Sequence, residues 1–340
     1  MVEILKTVSL KTTGEQLTIK KITAPDIEYA DRLYHFLDHK SDNTLRDLRQ
    51  KLRGDYKEEC IDNFFIGEIN DKIAGQLWYG YPINRSVGNF GHVYTALEHR
   101  KKGITNELMK YFIEDFNACN VKALLCGTGS AWIAKIYLDF GFVTVVPGTD
   151  HGPLVLLKKE AGKSFTEFAA KYYSPGSAIA AHRGTSVYKY EIDKMLANIF
   201  LLNGIVMHRI MAAAPLSYQE ALFMAEDQKG IITAAEAENS AIPGWAYILN
   251  TGSLMENESP VFDFFLHPAY LSQAKQFTEK SLHLAAAKGI KNVYSWFPAV
   301  EELKISVCRE LGFSEAACIR GYCLIQGKNF NLYILKKCLD

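Results

Sequence analysis

Hydrophobic and polar positions in the first half of the chain follow two periodic patterns, one typical of strands and one typical of helices. From Leu17 onward, apolar and polar residues alternate, which is typical of a half-buried strand. After Pro25 and Asp26, apolar residues recur three and four positions apart, which predicts a helix that starts at this pair and buries one face formed by Ile27, Ala30, Leu33, Tyr34 and Leu37. The same reading along the chain predicts the order β-α-α-β-β-β-α-β-α-β-β. The predicted strands are 17–22, 63–69, 72–83, 91–98, 121–127, 143–146 and 153–159, and the predicted helices are 26–37, 43–54, 104–120 and 130–140.

A basic turn with one glycine connects the fourth predicted strand to the third predicted helix. It reads Arg100-Lys101-Lys102-Gly103-Ile104-Thr105. Amide groups at the start of a helix point outward at the positive end of its dipole, and successive amides form a nest for phosphate oxygens. A glycine lets a bulky anion approach the backbone closely. We interpret residues 100–105 as a pyrophosphate cradle, with a solvated surface loop as the alternative.

Two motifs in this half resemble those of the GNAT superfamily of N-acyltransferases. The family signature [Q/R]-x-x-G-x-[G/A] matches residues 100–105, except that Thr105 replaces the small residue, so we expect a slightly tighter fit there. A second motif reads "AKIYLDFGF", with Tyr137, Gly141 and Phe142 in register. The resemblance covers about residues 17–158. It implies an α/β (α+β) fold in which helices flank a mixed, mostly antiparallel central sheet.

The second half of the chain repeats the first at one long offset. Gly75 recurs 169 positions later as Gly244, and Gly141 recurs 171 positions later as Gly312. "IKKITAPDIEYA" also resembles "MHRIMAAAPLSYQEA". Self-similarity of this kind indicates two copies of one domain, an arrangement known in the GNAT superfamily. The predicted parts are an N-terminal GNAT domain at 1–160, a helical connector at 161–204 and a C-terminal GNAT-like domain at 205–340.

The second copy lacks the residues that define the cradle. At the offset of 171, Leu271 stands in place of Arg100, and Ala274 in place of Gly103. Cys308 takes the place of Tyr137. We therefore interpret the second copy as degenerate, with a structural or substrate-shaping role. An acyl-CoA site that uses other contacts is the alternative, and the connector sequence "SPGSAIAAHRGTS" is a further candidate phosphate loop.

The resemblance implies acetyl-CoA as co-substrate of the first domain. The amides of the cradle would hold its pyrophosphate, and its pantetheine arm would pair with the strand "VYTAL". An amine would attack the thioester directly in a ternary complex, a backbone N–H would stabilise the oxyanion, and Tyr137 would protonate the departing thiolate. The implied cofactor-binding residues are Tyr94, Thr95, Ala96, Arg100, Lys101, Lys102, Gly103, Ile104, Thr105 and Tyr137.

A base or a water chain must also take a proton from the incoming amine. His92 and Glu98 flank the strand and are the candidates, which makes Tyr137, His92 and Glu98 the predicted catalytic residues. His92 and Tyr94 are two residues apart, so they lie on the same face of a regular strand. The sequence leaves open which face meets substrate, and a bulge in the strand would change which residues lie on that face. The alternatives are a structural His92, a turn-capping Glu98 and a Tyr137 that only packs on the next strand.

The composition of the chain limits the classes of binding partner that we expect. Lys plus Arg and Asp plus Glu are both 38, so bulk charge favours neither nucleic acid nor an anionic membrane. The sequence contains no run of about 18 apolar residues and no signal-peptide pattern. The seven cysteines form no C-x-x-C pair, which indicates reduced thiols and no structural zinc. We expect a cytoplasmic protein, monomer or homodimer, that uses no metal and takes a small-molecule or peptide amine.

Three other functions remain open at this stage. The chain is alternatively a non-catalytic acyl-CoA-binding or regulatory module, or it carries out another CoA-thioester reaction such as decarboxylation. A peptidyl transferase that uses aminoacyl-tRNA would require a basic groove. The acceptor is not identified by the sequence, because specificity resides in loops and helices over the site. The segments expected to determine it are 38–60 and 79–92, together with what the second domain contributes.

Overall fold

Two units make up the chain, Met1–Ala169 and Ala170–Asp340. The computed structural model describes residues 1–174, 178–203, 217–227, 230–250 and 260–339. Each unit is built on one mixed, mostly antiparallel sheet flanked by helices. This confirms the predicted fold class, in which two α/β folds of the same kind follow each other.

The sheet of the first unit has a single parallel junction. The elements are β1 (Val2–Ser9), β2 (Gln16–Thr23), α1 (Ile27–Phe36), α2 (Asp42–Arg53), β3 (Cys60–Ile69), β4 (Lys72–Pro82), β5 (Val87–Thr95), α3 (Ile104–Ala118), β6 (Ala123–Thr128), α4 (Ala131–Asp139), β7 (Val143–Thr144) and β8 (Gly152–Leu157). The strand order is β1-β2-β3-β4-β5-β6-β8-β7. β5 and β6 run parallel, whereas the other neighbouring pairs are antiparallel.

Local sequence signals account for several element boundaries. The Asp26 side chain accepts a hydrogen bond from the Tyr29 amide and begins α1. Gly54, with φ +85°, ends α2 in the left-handed conformation. Asn70 and Asp71 have φ values of 50° and 60°, and they form the predicted two-residue hairpin turn between β3 and β4.

Two features of the first unit differ from the sequence-based expectations. β1 was not predicted, because this edge strand has no fully buried residue, and the two residues that pack partly against the core, Leu5 and Val8, are three positions apart and not two. Ile27 was expected on the buried face of α1, but its side chain is 75% exposed. Tyr29, Ala30 and Leu33 bury that helix instead.

The second unit repeats the strand order of the first. Its elements are β9 (Ile179–Arg183), α6 (Ala197–Leu202), α7 (Tyr218–Asp227), β10 (Ile231–Ala237), β11 (Gly244–Leu249), β12 (Val261–Leu266), α8 (Ala274–Ala287), β13 (Asn292–Pro298), α9 (Glu302–Glu310), β14 (Ser314–Ile325) and β15 (Lys328–Cys338). The run β10-β11-β12-β13-β15-β14 matches β3-β4-β5-β6-β8-β7, and again the two central strands, β12 and β13, are parallel. The similarity noted around "MHRIMAAAP" lies largely outside the described residues.

The segment predicted as a connector, 161–204, divides between the two units. It contributes α5 (Phe165–Tyr172), in which the boundary between the units falls, and then β9. β9 pairs antiparallel with β10 and forms the edge of the second sheet. A π-helical turn (Glu191–Leu196) then leads into α6. The connector is therefore part strand and part helix.

A pair of glycines sets how closely α3 approaches the first sheet. Gly67 and Gly75 lie opposite each other on β3 and β4. A Cβ added to Gly75 would lie 2.8 Å from Cγ2 of Ile104, the first residue of α3, and one on Gly67 would lie 3.4 Å from the same atom. Ile104 is buried in the space these two residues leave. The start of α3 is thus positioned by the absence of two side chains.

This packing predicts a specific rescue. Gly75→Ala should reduce the free energy of unfolding by about 1–3 kcal/mol, the usual cost of overpacking. Ile104→Leu removes the Cγ2 methyl, so the double variant should recover most of that loss in urea unfolding of the full chain. Gly91→Ala is the matched control, because its added Cβ would meet only the Trp78 ring, at 3.9 Å. Additive effects of the two substitutions would contradict the packing.

Candidate functional site

β5 and β6 pair over only three residues and then separate. The paired residues are Val87 with Ala123, Gly88 with Leu124 and Asn89 with Leu125. β5 continues to Thr95 without a β6 partner. The result is an opening between two parallel strands, along which one edge of β5 has no neighbouring strand in the described residues. An extended ligand can pair with such an edge.

A bulge in β5 determines which side chains face each side of the sheet. The register between β4 and β5 shifts between Gln76 and Trp78, and His92 has a φ of +53°. The Phe90 ring packs on α3, 4.7 Å from the ring of Phe112. The His92 ring lies 5.1 Å from Trp78, on the opposite face. The bulge therefore places Phe90 and His92 on opposite faces of the sheet, although they are two residues apart.

The side chain of Gln76 supports this bulge. Its amide nitrogen donates a hydrogen bond to the carbonyl of His92, the group that the bulge removes from the regular ladder. Gln76 is only 1% exposed, and its Oε1 is buried without a hydrogen-bond partner in the described residues. A buried amide that leaves one atom unsatisfied is costly, so the bulge is held at some expense of stability.

The hydrogen bonds between β4 and β5 indicate which backbone groups of β5 face the opening. The Ala96 amide donates to the Ala74 carbonyl of the neighbouring strand β4 at 3.0 Å, and Tyr94 lies opposite Gln76 of β4. Successive residues of a strand direct their backbone groups to opposite sides, so the Thr95 amide points toward the opening. Its carbonyl accepts a hydrogen bond from Nε of Arg100 at 3.2 Å.

The cradle forms a left-handed turn at the start of α3. Lys101 has a φ of 62° and Gly103 a φ of 87°. Gly103 is the residue before α3, and no side chain caps the helix there. The first amides of α3 thus retain their hydrogen-bonding capacity at the positive end of the helix dipole. A Cβ on Gly103 would have no atom of the described residues within 4 Å, so the glycine faces open space within that part of the chain.

The three basic side chains of the cradle are not equivalent. Nζ of Lys102 lies 2.9 Å from a carboxylate oxygen of Glu15, and this hydrogen bond lowers the pKa of Glu15. The Arg100 guanidinium lies 5.8 Å from the Tyr94 ring, and Lys101 is exposed. Arg100 and Lys101 are therefore the cations available to an anion, whereas Lys102 is already paired.

Thr105, the residue that departs from the family signature, turns toward the sheet. Its hydroxyl lies 3.0 Å from the hydroxyl of Thr95. The side chain thus contributes a hydrogen bond between α3 and β5 and does not fill the outer side of the turn. Ile104, also within residues 100–105, is buried against Gly67 and Gly75. Its side chain, like that of Thr105, therefore packs on the sheet.

Tyr137 lies where β5 and β6 separate. Its ring packs edge-on against Phe90, the first residue of β5 beyond the parallel pairs, at 5.3 Å and 86°. The side chain is 6% exposed. Burial raises the pKa of its hydroxyl well above the ordinary value, and the nearby Cys126 of β6 adds to this shift. No hydrogen bond joins this hydroxyl to another described residue, so it is a protonated donor beside the opening.

The candidate bases are placed differently from each other. His92 is on the α2 side of the sheet, against Trp78. Glu98 lies exposed in a short 3₁₀ turn (Leu97–His99) beyond the end of β5. Sequence reasoning did not single out His39, whose ring lies 4.2 Å from that of Tyr94. The sequence indicated a role for His39 only through its position in segment 38–60, which was expected to determine the acceptor.

The pKa of His39 is lowered below its ordinary value, which favours the neutral imidazole. Partial desolvation of this exposed side chain is the main cause, Lys40 and Arg100 lower the pKa further, and Asp38 acts in the opposite direction. The Tyr94 ring also contacts Phe36, the last residue of α1, at 5.1 Å. The end of α1 and the loop after it therefore lie over the same part of β5 as His92.

The corresponding place in the second unit is filled by the chain itself. A 3₁₀ helix (Pro268–Gln273) precedes α8, and Ala274 is 1% exposed. The ring of Tyr173, from the predicted connector, stacks on His267 at 4.4 Å, and burial lowers the pKa of His267 to about 4. The Tyr270 hydroxyl donates to the Ser174 carbonyl at 2.9 Å. The turn before α8 thus packs against Tyr173 and Ser174, although Ala269, Leu271 and Ser272 remain exposed.

The interior of the second sheet also differs from that of the first. β11 and β12 pair without a register shift, so the bulge is missing. Lys304 of α9 forms a 2.8 Å ion pair with the buried Asp263 of β12 and lies 4.2 Å from the Phe265 ring. Cys308, in the place of Tyr137, is fully buried, and burial raises its pKa to about 12. Protein groups thus occupy the region between β12 and α9.

Neither a metal cluster nor a membrane span is evident in the part of the chain that the structure describes. Within those residues, no three His, Cys, Asp or Glu side chains are arranged to hold a metal ion. No helix there is both long and apolar enough to cross a membrane.

Comparison with known proteins gives structural neighbours but no sequence relatives. No protein-family model matches the sequence, and no curated protein matches it. Among solved structures, an acetyltransferase of the GNAT family from Streptococcus pneumoniae has 13% identity and a TM-score of 0.39, covering 47% of this chain and 99% of its own. An N-acetyltransferase from Staphylococcus aureus Mu50 has 14% identity and a TM-score of 0.39, with coverages of 48% and 100%.

A third similar structure contains acetyl-CoA. It is a GNAT superfamily phosphinothricin acetyltransferase from Sinorhizobium meliloti in complex with acetyl-CoA, with 14% identity, a TM-score of 0.36 and coverages of 48% and 88%. Likenesses of this degree establish neither an activity nor a substrate for this chain. They show only that the solved structures it resembles over about half its length include acetyltransferases.

Proposed function

We propose that the first unit binds acetyl-CoA and transfers the acetyl group to a primary amine, as a member of the GNAT superfamily with a second copy that binds no cofactor. One observation carries this proposal. The opening between β5 and β6 and the uncapped start of α3 lie on the same strand–turn–helix segment. A single extended thioester with a pyrophosphate at one end matches both features.

The cradle and β5 divide the work of binding. The amides at the start of α3 and the side chains of Arg100 and Lys101 receive the pyrophosphate. The pantetheine amides pair with the free edge of β5, where the Thr95 amide points. This arrangement sends the thioester into the opening, toward Phe90 and Tyr137.

The two faces of the opening supply the two proton transfers. The amine approaches from the face that carries His92 and Tyr94, loses a proton to an imidazole or to water, and forms the C–N bond. The C–S bond then breaks, and the thiolate takes a proton from the Tyr137 hydroxyl. The raised pKa keeps that hydroxyl protonated at neutral pH, and it has no competing hydrogen bond in the described residues. His39 is a second candidate base because its lowered pKa leaves it neutral.

Acetyl-CoA consumption with a panel of primary amines tests the activity. Free thiol should appear only when acetyl-CoA, an accepted amine and the protein are together, with one acetylated amine for each thiol. Saturable acetyl-CoA binding without thiol release for any amine would favour the alternative of a non-catalytic binding module. Thiol release without an acylated amine would favour another reaction of the CoA thioester.

Glycine in the cradle should be essential for affinity. Gly103→Ala adds a Cβ on the open side of the turn, where the pyrophosphate approaches. Affinity for CoA should fall by about tenfold or more, because a weakened hydrogen bond to a charged group costs about 1.5–3 kcal/mol and 1.4 kcal/mol is a factor of ten. Isothermal titration calorimetry measures the change.

Gly148→Ala is the matched control for backbone strain. Gly148 has a φ of +80° and, like Gly103, no protein atom within 4 Å of an added Cβ. Both variants should lose similar stability, about 1–2 kcal/mol for a left-handed alanine. Only Gly103→Ala should lose CoA affinity. Equal affinities of the two variants would mean that the pyrophosphate is held elsewhere.

The Tyr137 hydroxyl should matter for turnover more than for binding. Tyr137→Phe keeps the ring packing on Phe90 and breaks no hydrogen bond to the described residues, so stability should be unchanged. The turnover number should fall by about 10²-fold or more, the usual scale for one positioned acid, with CoA affinity nearly constant. Cys308→Ala changes the matching position of the second unit and should leave turnover per folded molecule unaltered. Near-normal turnover in Tyr137→Phe would make Tyr137 a packing residue.

A further inference from the structure

A groove on the outer side of α1 and α2 collects three arginine side chains. It has a volume of about 480 Å³, within the range of small-molecule sites. Arg46, Arg49 and Arg53 come from one face of α2, three and four residues apart. The remaining lining residues are Tyr34, Asp42, Leu45, Gln50 and Asp55. The chain as a whole has no net charge, so this is a local concentration of positive charge.

Two of the arginines have no carboxylate of their own. Neither Arg49 nor Arg53 forms an ion pair with another residue of the described ranges. Arg49 is held in place by its stacking on Tyr34, with the guanidinium carbon 4.2 Å from the ring centroid. The N–H groups of a guanidinium lie in its plane, so stacking on a ring leaves them available to an anion. Because the group is already held in place, it loses little conformational entropy when the anion binds.

A polar neighbour completes the centre of the groove. The Tyr56 hydroxyl donates to Oε1 of Gln50 at 2.5 Å, which fixes the orientation of that amide. The amide nitrogen of Gln50, which also lines the groove, is a hydrogen-bond donor. The middle of the groove therefore presents hydrogen-bond donors, as a tetrahedral oxyanion requires.

The ends of the groove determine what kind of anion it suits. Asp42 lies one turn before Arg46, and Asp55 lies just beyond Arg53. Carboxylates at both ends repel an extended polyanion such as a nucleic acid, but they accept hydrogen bonds from hydroxyl groups. A compact ligand with a central phosphate and flanking hydroxyls matches both the donors in the middle of the groove and the carboxylates at its ends.

The groove is separate from the proposed acyl-transfer site. Tyr34 lines the groove, whereas Phe36, two residues later on α1, contacts Tyr94. Two residues apart on an α-helix point to nearly opposite sides. We propose that the groove between α1 and α2 is a second ligand site, for a small hydroxylated phosphate monoester bound by Arg49 and Arg53.

Calorimetric titration of the full chain with glycerol 3-phosphate and with inorganic phosphate tests this site. Wild type should bind glycerol 3-phosphate saturably and more tightly than inorganic phosphate, because the hydroxyls reach the terminal carboxylates. The double variant Arg49→Gln/Arg53→Gln should bind about tenfold or more weakly, since two charge-assisted hydrogen bonds are lost. Inorganic phosphate binding as tightly as the ester would identify free phosphate as the ligand and overturn the monoester assignment.

Two control variants separate this site from other positive groups. Arg320→Gln, an exposed arginine on β14, should leave the affinity unchanged, as should Gly103→Ala in the cradle. A loss in Gly103→Ala equal to that in the double variant would place the phosphate in the cradle and overturn the proposal. No saturable binding by wild type would also overturn it, as would binding of a single-stranded oligonucleotide in preference to both phosphates. An unchanged melting temperature of the double variant confirms that it is folded.

Discussion

The bulge at His92 is the constraint on which the site of the first unit depends. It inserts one extra residue into β5 opposite β4, and Gln76 holds the freed carbonyl. Because of this shift, Phe90 stays on the α3 face while His92 lies on the α2 face. Beyond Asn89 the strand no longer pairs with β6, and the opening that results has Tyr137 on one side and the imidazoles of His92 and His39 on the other. Without the bulge, His92 and Phe90 would share a face, and only one side of the opening would carry titratable groups.

The two units show how the same strand order supports different local chemistry. Both sheets have one parallel junction followed by a helix. In the first unit a left-handed turn at Gly103 leaves the helix start open. In the second unit a 3₁₀ helix replaces that turn, Tyr173 stacks on His267, and an ion pair between Lys304 and Asp263 fills the interior. A buried ion pair of this kind is costly to break by removing one partner, which favours a structural role for the region.

Local signals in the sequence predicted the parts of this structure that short-range chemistry determines. The turn at Asn70 and Asp71, the glycine at the end of α2 and the helix after Gly103 follow from turn and cap preferences. The face that His92 occupies did not follow, since it depends on pairing with Gln76, 16 residues away in the chain. The pairing of Lys102 with Glu15 and the stacking of Tyr173 on His267 join residues 87 and 94 positions apart, and no local pattern indicates them. β1 was missed because both its faces are largely exposed.

Hydrogen–deuterium exchange of the full chain with and without CoA tests the central claim most directly. The account predicts slower exchange in peptides that cover 92–96 and 100–106, where the β5 edge and the first amides of α3 would gain hydrogen bonds. Exchange in peptides that cover 267–275 should stay the same, because a 3₁₀ helix there replaces the open glycine turn of the first unit. Protection confined to the second unit, or no protection of 100–106 at saturating CoA, would contradict the assignment of the cofactor site.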